Sequence, residues 1–254
     1  MEEHTTHSSL LSLGPQVRGV LESFLQETAS AFPGGIACFA ATGSCVTGDY
    51  VQGRSDINSV LVLTDMDPSV LDKLASMGRR YGKKRLRAPL LMTPEYIERS
   101  LDVFPIEFLD IKLIHQTLLG EDLFTDLPIS KSMLRLQCER DLKAKLIHLH
   151  QGYISCSGGG RGLRALLVEA YPGFFPLFRA MLTVAQISTG PPILKDAVLS
   201  GMESTFAVGL EPFREIRAMA GKRGFGHDWS VAKDVFNKVY KVTHELSLIM
   251  DRIS

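Results

Sequence analysis

The spacing of apolar residues changes near residue 130, and that change constrains the architecture more than any other feature of the chain. Upstream, short apolar runs alternate with stretches whose apolar residues recur every three or four positions. Val17, Val20, Leu21, Phe24 and Leu25 follow Pro15 at helical spacing, which predicts an opening amphipathic helix. The runs at 36–41 and 57–63 are compact, bounded by polar or glycine residues, and read as strands. A helix is expected over 68–82, with Val70, Leu71, Leu74 and Met77 on one face. The runs 88–92 and 105–113 read as two further strands. Between them Thr93-Pro94-Glu95 supplies a helix cap followed by proline at the first helical position.

Downstream the helical period takes over. Leu134, Cys138, Leu142, Leu146, Leu149 and Tyr153 form one stripe that should stop at Ser157-Gly158-Gly159-Gly160, a flexible joint between helices. Further helical patterns run through 163–185, interrupted by Pro172 and Pro176, then 193–219 and 231–253. The expected fold class is α+β. A small α/β domain with a mixed sheet should cover 1–128, and a helical bundle 129–254.

Composition excludes several functional classes. Lys plus Arg and Asp plus Glu both number 28, so the formal charge is zero. Nucleic acid is therefore not indicated as a partner, because such binding rests on many phosphate contacts. The four cysteines show no C-x-x-C spacing, which fits a reducing compartment with thiols used as small core residues. No charge-free apolar stretch reaches the roughly 20 residues a membrane span needs, so no membrane partner is expected. The opening MEEHTTHSSLLSLGPQ lacks the basic region of a secretory signal, and a cytoplasmic location follows as the expectation.

The segment from Gly43-Ser44 to Asp56-Ile57-Asn58 carries the chemistry. A strand runs into Gly-Ser, a polar loop follows, and a second strand opens with an acid. Glycine lets the backbone approach a ligand closely, and a neighbouring hydroxyl can bond a phosphate oxygen. Asp56 and Asn58, two apart, would share a face within a strand, and oxygen donors so paired suit Mg²⁺ beside substrate phosphates. This segment resembles the signature of the nucleotidyltransferase superfamily that includes DNA polymerase β and the aminoglycoside nucleotidyltransferases: Gly-Ser, a loop, then Asp-apolar-Asp at the head of a strand. The resemblance covers about 15–125 and extends to strand order, and the helical second half looks like the bundle many members use to complete an acceptor site.

The resemblance implies that Gly43 and Ser44, with Arg54 and Ser55 of the loop, hold the phosphates of a nucleoside triphosphate. Asp56, Asn58 and a third carboxylate would then hold Mg²⁺, or Mn²⁺. Pro105-Ile106-Glu107-Phe108-Leu109-Asp110 has the acidic-apolar-apolar-acidic form of the family's third site, making Glu107 the metal ligand and general base and Asp110 the reserve. The implied reaction transfers a nucleoside monophosphate to an acceptor hydroxyl, on a small molecule or a protein, with release of pyrophosphate. One position departs from the pattern: Asn58 stands where the family has its second aspartate, and a neutral amide gives a metal no charge. At an effective dielectric of 20, unit charges about 4 Å apart interact by about 4 kcal/mol, and half of that is worth more than tenfold in rate. The alternative reading is a catalytically impaired relative that binds nucleotide or a protein partner.

Other features have simpler readings. Arg79, Arg80, Lys83, Lys84, Arg85 and Arg87 form the densest basic run, read as a solvated helix end leading into a loop, with attraction of an anionic ligand as its functional alternative. The seven histidines show no metal-ligand spacing and read as surface or packed residues. Phe174, Phe175 and Phe178 read as bundle core, with a wall of an interdomain cleft as the alternative.

Overall fold

A computed structural model describes residues 13–185, 191–221 and 228–253, in two units: one ends at Ile129 and the other begins at Ser130. Residues 1–12 of the opening stretch, with His4 and His7, and also His227, lie outside these residues. In the first unit, α1 (Pro15–Ala31) precedes β1 (Ile36–Thr42), β2 (Asn58–Leu63), α2 (Ser69–Gly82) and β3 (Leu90–Met92). Then come α3 (Pro94–Ser100), α4 (Pro105–Leu113) and β4 (His115–Gly120). The strands form a mixed sheet in the order β3-β2-β1-β4, with β1 antiparallel to both neighbours and β2 parallel to β3.

Strand β1 is central, and Cys38 to Ala41 are wholly buried on both faces. Side chains alternate between two layers. Phe39 and Ala41, with Leu61 and Leu63, meet Leu21, Phe24 and Leu25 of α1 and Met77 and Tyr81 of α2. Cys38 and Ala40, with Val60 and Val62, meet Ile97 of α3, Phe108 and Ile111 of α4, and Phe124. A sheet covered on both faces explains the near-continuous apolar runs, since neither face needs polar residues.

The segment 105–120 differs from expectation. Pro105–Leu113 is a helix, and the last strand is the more polar His115–Gly120. Pro105 sits in the first turn, where its missing N–H costs nothing. The buried residues Pro105, Ile106, Phe108, Leu109 and Ile111 leave only Glu107 exposed in that turn, a spacing that a helix satisfies as well as a buried strand does. The expected acidic-apolar-apolar-acidic strand therefore does not exist, and Glu107 and Asp110 lie on α4.

Among its described residues the second unit holds helices and no strand: α5 (Lys131–Ser155), α6 (Gly160–Ala170), α7 (Phe174–Val184), α8 (Lys195–Phe206), α9 (Glu211–Gly221) and α10 (Trp229–Arg252). The joint between α5 and α6 uses Ser157 and Gly158, both at positive φ. Phe174, Phe175, Phe178 and Phe213 are fully buried, and their rings meet in edge contacts, with Phe174 and Phe213 4.9 Å apart, so the core reading of these phenylalanines holds. The stretch Gly160–Val184 is long and apolar enough to cross a membrane by composition, but more than half of its apolar window is buried inside the unit, as in a core helix.

Two features of the first unit's sheet are testable. Gly120 ends β4 at φ +80, and a Cβ there would stand 2.0 Å from the Ala37 carbonyl oxygen. Gly120→Ala should destabilise the protein by about 3 kcal/mol or more in urea titrations, because backbone must move. Gly34→Ala, at φ +70 in open space, should cost only about 1 kcal/mol. Beyond β4, Asp122 accepts from the Phe124 amide at 2.9 Å and the Thr125 hydroxyl at 2.7 Å, and contacts His115 at 3.1 Å. Partial burial opposes its charge, but the Thr125 hydroxyl, the two amides and His115 together hold its carboxyl at about 2. The unfolded chain takes up that proton first as pH falls, so the contribution is present above about pH 4 and is lost between pH 4 and 2. After allowance for its exposure it should amount to about 1 kcal/mol, and Asp122→Asn should flatten stability against pH across that window.

Candidate functional site

The candidate site lies at one end of the sheet. Thr42, the last residue of β1, pairs with Asn58 at the start of β2 and with His115 at the start of β4. The Thr42 hydroxyl donates to the Ile114 carbonyl at 2.6 Å, fixing this row. The chain then enters a single 3-10 turn, Gly43–Val46. Gly43 takes φ +73, and a Cβ on it would stand 3.2 Å from Nδ2 of the Asn58 side chain, so both its conformation and its neighbour favour glycine. Cys45 is buried beneath the turn, its thiol 3.1 Å from the Thr42 carbonyl; burial pushes that thiol up, away from a reactive thiolate.

The loop leading to β2 is held internally. The Ser55 hydroxyl accepts from the Val51 amide at 3.0 Å, and the Arg54 and Ser55 amides return to the Val51 carbonyl. Asp56 precedes β2 rather than lying in it, and both its oxygens are taken by arginine. Arg85 Nη2 stands 2.8 Å from Oδ1, and Nε and Nη2 of Arg87 each stand 2.7 Å from Oδ2. The Arg85 guanidinium also donates to the Ser55 carbonyl at 3.1 Å and to the Arg54 carbonyl. Local backbone pairing sets up this clamp: the Ile57 amide donates to the Arg85 carbonyl at 2.9 Å, and the Arg87 amide to the Ile57 carbonyl at 3.0 Å. Arg85 itself holds φ 63, a left-handed conformation unfavourable for a residue with a Cβ.

The structure thus groups Gly43, Ser44 and Asn58 at the sheet end and ties Arg54, Ser55 and Asp56 into one loop. It does not place Glu107 on a strand. The backbone beside Asn58 runs from Leu86, bridged to Ile57, to Leu90 opposite Val60, and its sequence Arg87-Ala88-Pro89 holds no acid. The other edge strand, His115–Gly120, holds none either. Asp56 borders a cavity lined by Phe24, Leu74 and Tyr81, whereas Asn58 by alternation shares the face of Val60 and Val62. Among the described residues no three His, Cys, Asp or Glu side chains come together to hold a metal ion. An aspartate already neutralised by two guanidinium groups, and a neutral amide that faces the sheet's other layer, make a donor set that does not fit a divalent cation.

Sequence reasoning missed Arg85 and Arg87 because they sit inside a basic run that reads as solvated. Their spacing of two, in a segment bridging β2, is the signal that they share a side and can meet one carboxylate.

Against solved structures, the chain is similar to spectinomycin adenyltransferase AAD(9) from Enterococcus faecialis, determined with ATP and spectinomycin. The TM-score is 0.56 at 14% identity, over 90% of this chain and 98% of that one. The likeness is one of fold: the chain shares the architecture of that adenyltransferase. No protein-family model matches the chain, and no curated protein matches it in sequence.

The clamp has a measurable asymmetry. Arg85→Ala removes contacts to two carbonyls and Asp56 and should cost about 1–2 kcal/mol, whereas Arg87→Ala removes only a more exposed pair and should cost under about 1 kcal/mol. Urea titration measures the totals, and amide exchange at Ser55–Ile57 should accelerate in the first variant alone.

Proposed function

We propose that this protein binds a nucleoside triphosphate at the Gly43–Ser44 end of the sheet, and that it is a nucleotide-binding member of its fold in which metal-assisted transfer is impaired. The phosphates would be met by the backbone of the Gly43 turn, the Ser44 hydroxyl and the loop residues Arg54 and Ser55, whose hydroxyl keeps its own proton to donate. The observation that carries the reading is the state of Asp56. A dication brought to its carboxylate would meet two guanidinium charges within a few ångströms, a repulsion of several kcal/mol even at an effective dielectric of 20. Asn58 adds no compensating charge, and neither edge strand supplies a third acid. Binding of phosphate needs none of these carboxylates; activation of an attacking hydroxyl by a metal does.

The fold neighbour's ATP and spectinomycin supply the first ligands to try. Calorimetric titration with ATP should give an affinity in EDTA within about threefold of that with Mg²⁺, and Gly43→Ala should weaken it at least tenfold. Wild type and Asn58→Asp should both fail to transfer labelled nucleotide to spectinomycin or to the protein itself. Loss of ATP binding on chelation, together with metal-dependent transfer by wild type, would establish the active transferase instead.

A further inference from the structure

A cavity of about 620 Å³ opens between α1, α2 and the segment 85–91. Its size falls within the range of small-molecule sites. Its walls are mainly apolar: Leu71 and Leu74 from α2 and Leu91 from β3 contribute, and Leu71 is 54% exposed although it borders a concavity. The room exists because Ala75, Gly78 and Gly82 present almost no side chain; a Cβ on Gly78 or Gly82 would meet nothing within 4 Å. The charged lining residues are Asp56, Arg85 and Arg87, so two positive charges less one negative leave a net charge of +1 at one end of an apolar chamber. Asp56 occupies Nε and Nη2 of Arg87, and a guanidinium carries further donors on Nη1 for a second acceptor.

We propose that this cavity is a binding site for a small amphipathic monoanion, a carboxylate with an apolar body such as a medium-chain fatty acid. The body lies along the Leu71–Leu74–Leu91 wall over Gly78, and the carboxylate joins Asp56 on the arginine pair. A monoanion matches the single uncompensated charge, whereas an uncharged amphiphile leaves it unmet. This goes beyond nucleotide binding at Gly43–Ser44 and involves different residues.

The test is calorimetric titration of the full chain with sodium decanoate and with decan-1-ol. Decanoate should bind at micromolar concentration and decanol at least tenfold more weakly. Gly78→Leu, which fills the chamber from a position with open space, should abolish decanoate binding while keeping the melting temperature of the wild type or raising it. Arg87→Ala, at an exposed side chain, should weaken decanoate at least fivefold and keeps the test decisive should the leucine variant not fold. The inference is overturned by absence of decanoate binding, by equal binding of decanol, or by unchanged binding in these variants. Saturating ATP should leave decanoate affinity unaltered; displacement would assign the cavity to the nucleotide and overturn this inference alone. Failure of ATP to bind, with decanoate still bound, would overturn only the nucleotide reading.

Discussion

The first unit depends on the burial of β1. Cys38 to Ala41 lose all contact with water, so every backbone N–H and C=O there must find a partner, and antiparallel strands on both sides provide them. That requirement fixes β1 at the centre and brings the starts of β2 and β4 to its last residue, Thr42. The chain leaves this crowded row through Gly43, where the left-handed turn and the adjacent Asn58 amide leave little room for a side chain. The position of the candidate phosphate loop is thus a consequence of sheet packing.

Electrostatics then decides what the sheet end can do. In the superfamily signature that this chain resembles, the first aspartate faces a metal. Here Asp56 faces Arg85 and Arg87, at 2.8 and 2.7 Å. Ion pairs this exposed add little to stability, so their consequence is chemical: the carboxylate is neutralised by fixed cations, and the same cations give the neighbouring cavity a positive end. Asn58 and the acid-free segment Arg87-Ala88-Pro89 add no negative charge beside that clamp.

Much of this was legible in the chain. The strands at β1 and β2, the helices α1 and α2, the Thr93 cap and the stripes of α5 and α10 follow from local periodicity, because each buries a face that its own spacing defines; the pattern expected over 193–219 is instead two helices, α8 and α9, parted where Ala207 takes a left-handed conformation at φ 55. The Gly43-Ser44 turn was legible because glycine and a following polar loop interrupt an apolar strand. The segment 105–113 was not: a run apolar on nearly every side suits a doubly covered strand and a buried helix equally, and only packing of Phe108 and Ile111 against Val60 and Val62 distinguishes them. His115–Gly120 escaped notice as a strand because its half-buried edge carries polar residues.

By itself, the sequence determined the division into an α/β part and a helical part, and the place of the glycine turn, since both are set by contacts between residues near one another in the chain. Only the tertiary structure decided the partners of Asp56 and the location of Glu107. Those depend on which segments lie side by side, and Arg85 and Arg87 reach Asp56 across some thirty residues only because the backbone at Leu86 bridges Ile57. Charge pairing of that kind is a property of the assembled sheet, with no counterpart in local spacing.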